Sequence, residues 1–79
     1  MTSVPLGRMK PGERGRISGF SLENAVTRQL MTLGLVEDAE IELLRTAPTG
    51  DPVEIKVMGY ALSLRRSDAD LVLVEQHLP

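Results

Sequence analysis

The side chains that could carry out catalysis are few in this chain and poorly placed for it. The 79 residues include no cysteine and one histidine, His77, which lies close to the C-terminus. A Ser-His-Asp arrangement needs a histidine held rigidly beside the nucleophile, and a thiolate nucleophile needs a cysteine. We therefore predict that the chain is not an enzyme and has no catalytic residues.

The residues that could bind a metal ion form no recognisable ligand set. Ferrous iron favours combinations of histidine and carboxylate ligands, but only one histidine is present. Without cysteine there can be no thiolate zinc site. Glu37, Asp38 and Glu40 lie close together in the sequence, where we expect surface turns. We interpret these carboxylates as a solvated surface and predict no metal site and no cofactor.

Phosphate and nucleic-acid binding are not indicated either. The segment Gly50-Asp51-Pro52 lacks the lysine and the following helix of a nucleotide-binding loop, so we expect no nucleotide binding. Nine basic and eleven acidic residues give a net charge of −2. The densest basic cluster runs from Arg8 to Arg16 and is interrupted by Glu13. Because contact with nucleic-acid phosphates normally needs several clustered cations, we interpret it as a solvated surface and expect no nucleic-acid partner.

The composition indicates one small domain in a reducing compartment. A chain of this length supports one modest core, so we interpret residues 1–79 as a single domain with a loose C-terminal tail over 75–79. A secreted domain of this size would usually need disulfides. The N-terminus does not resemble a signal peptide, and no apolar run approaches the roughly 20 residues of a membrane span. We expect a cytoplasmic protein without direct membrane insertion.

One helix is predicted, over about residues 22–33. Ser21 is a good N-cap, and Glu23 in the first turn suits the helix dipole. Gly34 fits the left-handed position that ends a helix, after which Leu35 could fold back onto the last turn. The apolar residues with helical spacing, which we predict to face the core, are Leu22, Ala25, Val26, Leu30 and Leu33.

Short strands separated by tight turns fill most of the remaining sequence. Gly15 and Gly19 indicate a bend, a bulge or a close backbone approach within one of them. A single helical turn capped by Ser67 precedes the last strand. The predicted strands are Glu13–Phe20, Glu40–Thr46, Val53–Met58, Tyr60–Arg65 and Leu71–Val74, preceded by a strand or extended arm at Leu6–Met9.

These elements predict a mainly β protein, a small SH3-like barrel of five to six short strands with one inserted α-helix. Closure, or near closure, protects strand edges that an open sheet would expose. Two details stay open. The strand after Gly59 presents either Ala61 and Ser63 or Leu62 and Leu64 to the core. Leu44 interrupts the alternation of its strand, which is therefore either bulged or half covered on its other face.

A series of short motifs runs along nearly the whole chain. They are Leu6 with Gly12-Glu13-Arg14-Gly15-Arg16-Ile17, then Arg28-Gln29-Leu30-Met31-Thr32-Leu33-Gly34-Leu35, the strand around Ile41, Ala47-Pro48-Thr49-Gly50-Asp51-Pro52-Val53, Gly59 with Leu64-Arg65, and Ala69 with Val72 and Val74. In this order of motifs the chain resembles the FeoA family, ferrous iron transport protein A, from about Leu6 to Val74. It departs from the family pattern at Glu37-Asp38, where a Pro-Gly turn is usual, and at Gln29 and Thr32, where an arginine and an acidic residue are frequent.

The resemblance implies an SH3-like barrel and a cytoplasmic accessory or regulatory protein of ferrous iron uptake. Its implied partner is a FeoB-type iron permease, a membrane protein with a cytosolic GTPase domain, contacted on its cytosolic face. Two alternatives remain: an SH3-like nucleic-acid or repressor-associated module, and a transition-metal-sensing domain. The near-neutral charge and the scarcity of aromatic residues argue against the first.

Candidate partner-binding residues lie on the outer helix face and on two loops. A helical projection places Met31 beside Asn24, Thr27 and Arg28, opposite the apolar face, where a deformable methionine suits a protein contact. Alternatively, a neighbouring loop covers Met31, or it is simply exposed. The other candidates are the loop residues Pro48, Thr49, Gly50 and Asp51, which could instead only form a turn, and Arg65, which with Arg66 could instead pair with Asp68 and Asp70.

Overall fold

The computed structural model describes residues 3–77, which form mainly β-strands. The strands are β1 (Ser3–Pro5), β2 (Arg14–Phe20), β3 (Glu40–Thr46), β4 (Val53–Val57), β5 (Tyr60–Leu64) and β6 (Val72–Gln76). They form one antiparallel sheet in the order β1-β6-β2-β3-β4-β5, with its edges at β1 and β5. Two helices accompany it, α1 (Ala25–Thr32) and the single turn α2 (Arg66–Ala69). The mainly β fold with one inserted helix is confirmed.

The central strands alternate buried and exposed residues as the sequence predicts. In β3, Ile41 and Leu43 are buried, and the pairing with β4 shifts register between Leu43 and Arg45, which is a bulge near the predicted break in alternation. In β5, Leu64 is buried while its neighbour Ser63 is exposed. The leucine side of β5 therefore faces the core, which resolves the open choice. The buried apolar residues of the described chain are Leu6, Met9, Ile17, Leu30, Leu35, Ile41, Leu43, Val53, Ile55, Val57, Leu64, Ala69, Val72 and Val74.

The glycines of β2 have the two roles expected of them. A Cβ at Gly15 would lie 2.5 Å from the carbonyl oxygen of Glu75 and 2.6 Å from a methyl group of Val74, so only glycine lets β2 approach β6 this closely. The β2–β6 register shifts between Ile17 and Gly19, which is the predicted bulge.

Both ends of the described chain differ from prediction. Leu6–Arg8 is a 3-10 helix that buries Leu6, and the short strand β1 precedes it. Glu75 and Gln76 belong to β6, so a loose tail over 75–79 is wrong for these residues, because they pair with β1 and β2. Leu78 and Pro79, the end of that predicted tail, lie outside the described residues.

The start of α1 is also corrected. The helix begins at Ala25 and its N-cap is Asn24, not Ser21. The Asn24 side chain accepts a hydrogen bond from the backbone N–H of Thr27 (3.0 Å), and the Asn24 N–H donates to the Thr27 hydroxyl (2.9 Å). This reciprocal pair satisfies two backbone donors that a helix start leaves unpaired. Ser67 was likewise expected to cap α2, but Arg65 occupies that position without a side-chain cap.

The end of α1 is as predicted. Gly34 has a φ of +108°. Its N–H donates to the carbonyl of Met31 (3.0 Å), and the Leu35 N–H donates to that of Leu30 (3.0 Å), the bond pattern of a Schellman motif. Leu35 is fully buried, as the predicted folding back onto the last turn requires. Within residues 3–77, no helix is long and apolar enough to cross a membrane.

Candidate protein-docking site

The helix α1 presents a different side to the core than its apolar periodicity predicts. Thr27, expected on the outer face, is 0% exposed, whereas Val26, expected in the core, is 38% exposed. Leu22 is 54% exposed. Thr27 can be buried because its hydroxyl is used at the helix start, where it accepts from the Asn24 N–H and donates to the Asn24 carbonyl oxygen (3.1 Å). The prediction that Thr27 contacts a partner is therefore wrong.

The apolar side of α1 instead lines an open groove of about 450 Å³ between the helix and the corner where β5 leads into α2. We call it the edge groove, because β5 is an edge strand of the sheet. Leu30 and Leu64 form its buried base, and the other lining residues are at least partly accessible. Its lining residues are Ala25, Val26, Gln29, Leu30, Leu33, Ser63, Leu64, Arg65 and Asp68.

The two ends of the edge groove differ in chemistry. Near the β4–β5 turn, the Tyr60 hydroxyl donates a hydrogen bond to the Leu33 carbonyl oxygen and ties the end of α1 to β5. At the other end, Arg65 and Asp68 place one cation and one anion at the rim. Between these ends the walls are largely aliphatic. The groove can therefore bury apolar side chains and orient them by polar contacts at one end, as protein and ligand sites commonly do.

Three of the predicted helix residues lie away from this groove. Asn24 and Met31 are half-buried and Arg28 is exposed, and none of them is among the lining residues. The Asn24 side chain is used as the helix cap. The predicted helix residues thus lie on a different side of α1 from the one that lines the edge groove. The signal that sequence reasoning missed is the pair Asn24 and Thr27 at the spacing of a capping box, which marks the helix start and uses the polar atoms of Thr27.

Arg65, by contrast, lies at the candidate docking surface. It is exposed at the rim of the edge groove. Within residues 3–77, no salt bridge links Arg65 or Arg66 to Asp68 or Asp70, so the alternative of local charge pairing is not observed. The guanidinium of Arg65 can therefore contact an acceptor on a partner.

The loop from Ala47 to Pro52 is fixed beside the groove. The Asp51 carboxylate accepts a hydrogen bond from the Arg66 N–H at the start of α2 (3.2 Å), and the Ala47 N–H donates to the Pro52 carbonyl (3.1 Å). Pro48, Thr49 and Asp51 are exposed, and Gly50 is half-buried with a φ of +92°. A shallow pocket under this loop shares the lining residue Ser63 with the edge groove, so the two surfaces are neighbours.

The outer face of the sheet carries alternating charges instead. Cross-strand pairing sets Arg16 between Glu40 and Glu75. The Nε of Arg16 lies 3.7 Å from one carboxylate oxygen of Glu40, and the Nε2 of His77 lies 3.0 Å from the other. Such pairs keep a surface hydrated. In the described part of the chain, no three His, Cys, Asp or Glu side chains are grouped as metal ligands would be.

Comparison with known proteins identifies relatives of the whole described fold. The FeoA domain family matches residues 4–76. A curated relative from Porphyromonas gingivalis, an Fe(2+) transport protein A/Fe(2+) transporter FeoB fusion protein, is 30% identical over 70 residues, which is 89% of this chain. The chain spans only 8% of the length of that relative.

Two solved structures extend the similarity to three dimensions. A FeoA-like protein from Clostridium acetobutylicum has a TM-score of 0.92 and 34% identity, covering 100% of this chain and 92% of the other. FeoA from Stenotrophomonas maltophilia, described as an SH3 domain protein and solved in complex with zinc, has a TM-score of 0.77 and 25% identity, covering 95% of this chain and 89% of the other. The predicted SH3-like architecture is confirmed. With its family match spanning nearly all the described residues, the chain belongs to the FeoA family.

Proposed function

We propose that this chain is an accessory protein of ferrous iron uptake that docks through its edge groove on the cytosolic part of a FeoB-type permease. Two relatives support the biological setting. The P. gingivalis protein joins an Fe(2+) transport protein A segment to FeoB in one chain, so the two parts act within one molecule there. The S. maltophilia protein is described in terms of ferrous iron transport activation. The proposed role is protein contact rather than catalysis.

The observation that carries this proposal is the exposed apolar wall of α1. In so small a domain, apolar side chains are needed for the core, yet in this wall Val26 is 38% exposed, Ala25 is exposed and Leu33 is only half-buried. Contiguous exposed apolar surface with a polar rim is characteristic of interaction sites. Burying such side chains against a partner stabilises a complex by about 25 cal/mol for each Å² of apolar surface removed from water.

The predicted partner-binding residues divide into two groups around the groove. Arg65 lies at its rim, and the loop with Pro48, Thr49, Gly50 and Asp51 lies next to it through Ser63, so we assign these residues to the periphery of the contact. Asn24, Arg28 and Met31 lie outside the groove lining and would be reached only by a partner that also wraps around α1.

A titration with matched variants tests the proposal. The cytosolic part of the cognate permease is titrated by calorimetry into wild type, Val26→Glu and Met58→Glu. Val26→Glu places a charge in the groove, and we expect at least roughly tenfold weaker binding, which is about 1.4 kcal/mol. Met58 is 67% exposed at the β4–β5 turn and lies outside the groove, so Met58→Glu makes the same type of change elsewhere. Its affinity should stay within about twofold of wild type.

Two results would contradict the proposal in different ways. If wild type binds neither nucleotide state of the cytosolic part nor the full-length permease, the assigned partner is wrong. If wild type binds and only Met58→Glu weakens the complex, the partner is right but the docking surface lies at the β4–β5 turn.

A further inference from the structure

The edge strand β5, which lines the edge groove with Ser63 and Leu64, has unpaired backbone groups. The turn Met58-Gly59 has positive φ at both residues, 52° and 83°, the geometry of a type I′ hairpin. In such a hairpin the flanking residues Val57 and Tyr60 exchange backbone hydrogen bonds, and bonded pairs then alternate with non-bonded pairs. The register pairs Lys56 with Ala61 and Glu54 with Ser63. The N–H and C=O groups of Ala61 and Ser63 therefore point away from β4.

The neighbouring strands give the same result independently. On the far side of β3, the Leu43 N–H donates to the Glu13 carbonyl (3.0 Å), and its carbonyl accepts from the Gly12 N–H (2.8 Å). The backbone groups of Leu43 therefore point away from β4. Those of the adjacent residue Glu42 point toward β4 and bond to its partner there, Lys56. A residue of β4 that bonds to β3 cannot also bond to β5. Within residues 3–77, no other element supplies a backbone partner for Ala61 or Ser63.

The two sheet edges differ in how they are protected. Native sheets usually blunt an edge with a short strand, a proline, a charge or a bulge. The edge strand β1 has three residues and ends in Pro5. The edge strand β5 has five residues, Tyr60 to Leu64, with no proline and no charged side chain, and it pairs with β4 without a register shift. Its outward edge is therefore a regular, uncharged template for another strand.

We propose that an extended segment of the partner protein adds to the β5 edge as a further antiparallel or parallel strand. This inference rests on the proposed function and specifies its mode of recognition. The backbone of the segment would bond to Ala61 and Ser63, and every second side chain would enter the edge groove against Val26 and Leu33. Because the groove walls are aliphatic and the edge is uncharged, the segment is uncharged with apolar residues at alternate positions.

A second copy of the chain is a poorer occupant than a single segment. Antiparallel pairing of two β5 edges has a twofold axis normal to the joined sheet, so both core faces lie on the same side. The α1 of the second copy would then lie on the same side of the joined sheet as the first α1, which already borders the groove. The two helices would compete for this space. An isolated extended segment brings no such helix. Self-association would appear as a dimer in sedimentation experiments on the protein alone, and a dimer that dissociates in Ser63→Pro would overturn the assigned occupant.

The decisive experiment compares Ser63→Pro with Ser63→Ala in titrations with the cytosolic part of the permease. Proline removes the outward N–H of an edge strand without breaking a bond to β4, and alanine removes only the exposed hydroxyl. We expect Ser63→Pro to bind roughly tenfold more weakly than Ser63→Ala, which accounts for the loss of the side-chain hydroxyl alone. Hydrogen exchange on wild type needs no variant. The amides of Ala61 and Ser63 should exchange at least about tenfold more slowly in the complex.

The results separate this inference from the proposed function. If wild type binds the permease but Ser63→Pro binds equally well and neither amide becomes protected, strand addition is wrong while the docking partner stands. If Ser63→Pro does not fold, the exchange measurement on wild type decides alone. If wild type does not bind, the proposed function has failed, and this mode of recognition fails with it.

Discussion

Replacing Thr27 by valine tests which side of α1 faces the protein interior. Valine has nearly the same shape as threonine, so the change removes the hydroxyl without creating a cavity or a clash. The Thr27 hydroxyl accepts from the Asn24 N–H at 2.9 Å, and no backbone acceptor is described for that N–H. Thr27 itself is fully buried. The variant therefore leaves a helix-start donor unpaired.

The expected loss of stability follows from two opposing terms. Leaving a buried donor without its acceptor costs about 1–3 kcal/mol. Replacing a buried hydroxyl by a methyl group returns about 0.8 kcal/mol of burial free energy. We therefore expect Thr27→Val to lower the free energy of unfolding by about 0.2–2 kcal/mol. For a domain of this size, each kcal/mol lowers Tm by about 4–8 °C.

The mirror substitution Val26→Thr is the matched control. It exchanges the same two side chains at the adjacent position, where the structure leaves the residue 38% exposed. We expect its free energy of unfolding to change by less than about 0.5 kcal/mol. Thermal and urea denaturation of both variants, followed by circular dichroism, give the comparison.

The opposite order of effects would refute the orientation of α1. If Thr27→Val unfolds at the wild-type temperature or above it while Val26→Thr is clearly destabilised, Val26 faces the core as the apolar periodicity predicts. The edge groove would then be absent, and both proposals that depend on it would lose their basis.

Three glycine substitutions give further predictions for the free energy of unfolding. Gly34→Val should lower the free energy of unfolding by at least about 1–2 kcal/mol, because φ is +108° and a Cβ would lie 2.9 Å from the Cγ of Met58. Gly59→Val should lower it by less, because φ is +83° but no atom lies within 4 Å of the added Cβ. Equal losses in the two variants would show that contact with Met58 contributes nothing to the cost at Gly34. Gly15→Ala should lower the free energy of unfolding by about 1–3 kcal/mol, because its Cβ would meet Glu75 of β6; an unchanged urea midpoint would show that β2 and β6 can separate without loss.

Much of the fold follows from local patterns in the sequence. The strand Glu40–Thr46 has the bounds predicted for it, because alternating apolar residues on a half-buried strand leave little choice of register. Gly34 ends α1 as expected, since a left-handed residue after the last periodic leucine is needed to close the helix. In both cases the sequence pattern that supports the prediction lies within a few residues of the feature it predicts.

The candidate site was predicted only in part. Arg65 and the loop from Pro48 to Asp51 lie at or beside the edge groove, whereas Thr27 is buried and Met31 lies away from the groove. Apolar spacing predicts that α1 has one aliphatic side, which is correct. It does not predict whether that side is fully covered, because coverage depends on how far the strands curl around their own core.

The sequence by itself determined the class of fold, the family and the absence of a recognisable catalytic set, because turn residues, strand alternation and ordered motifs act locally along the chain. Only the tertiary structure decided how α1 is rotated, that β6 extends to Gln76, and that β5 is an unprotected edge beside a groove. These features depend on contacts between residues far apart in sequence. Within α1 only Thr27 and Leu30 are buried, and the rest of its aliphatic side is left at least partly exposed along the edge groove.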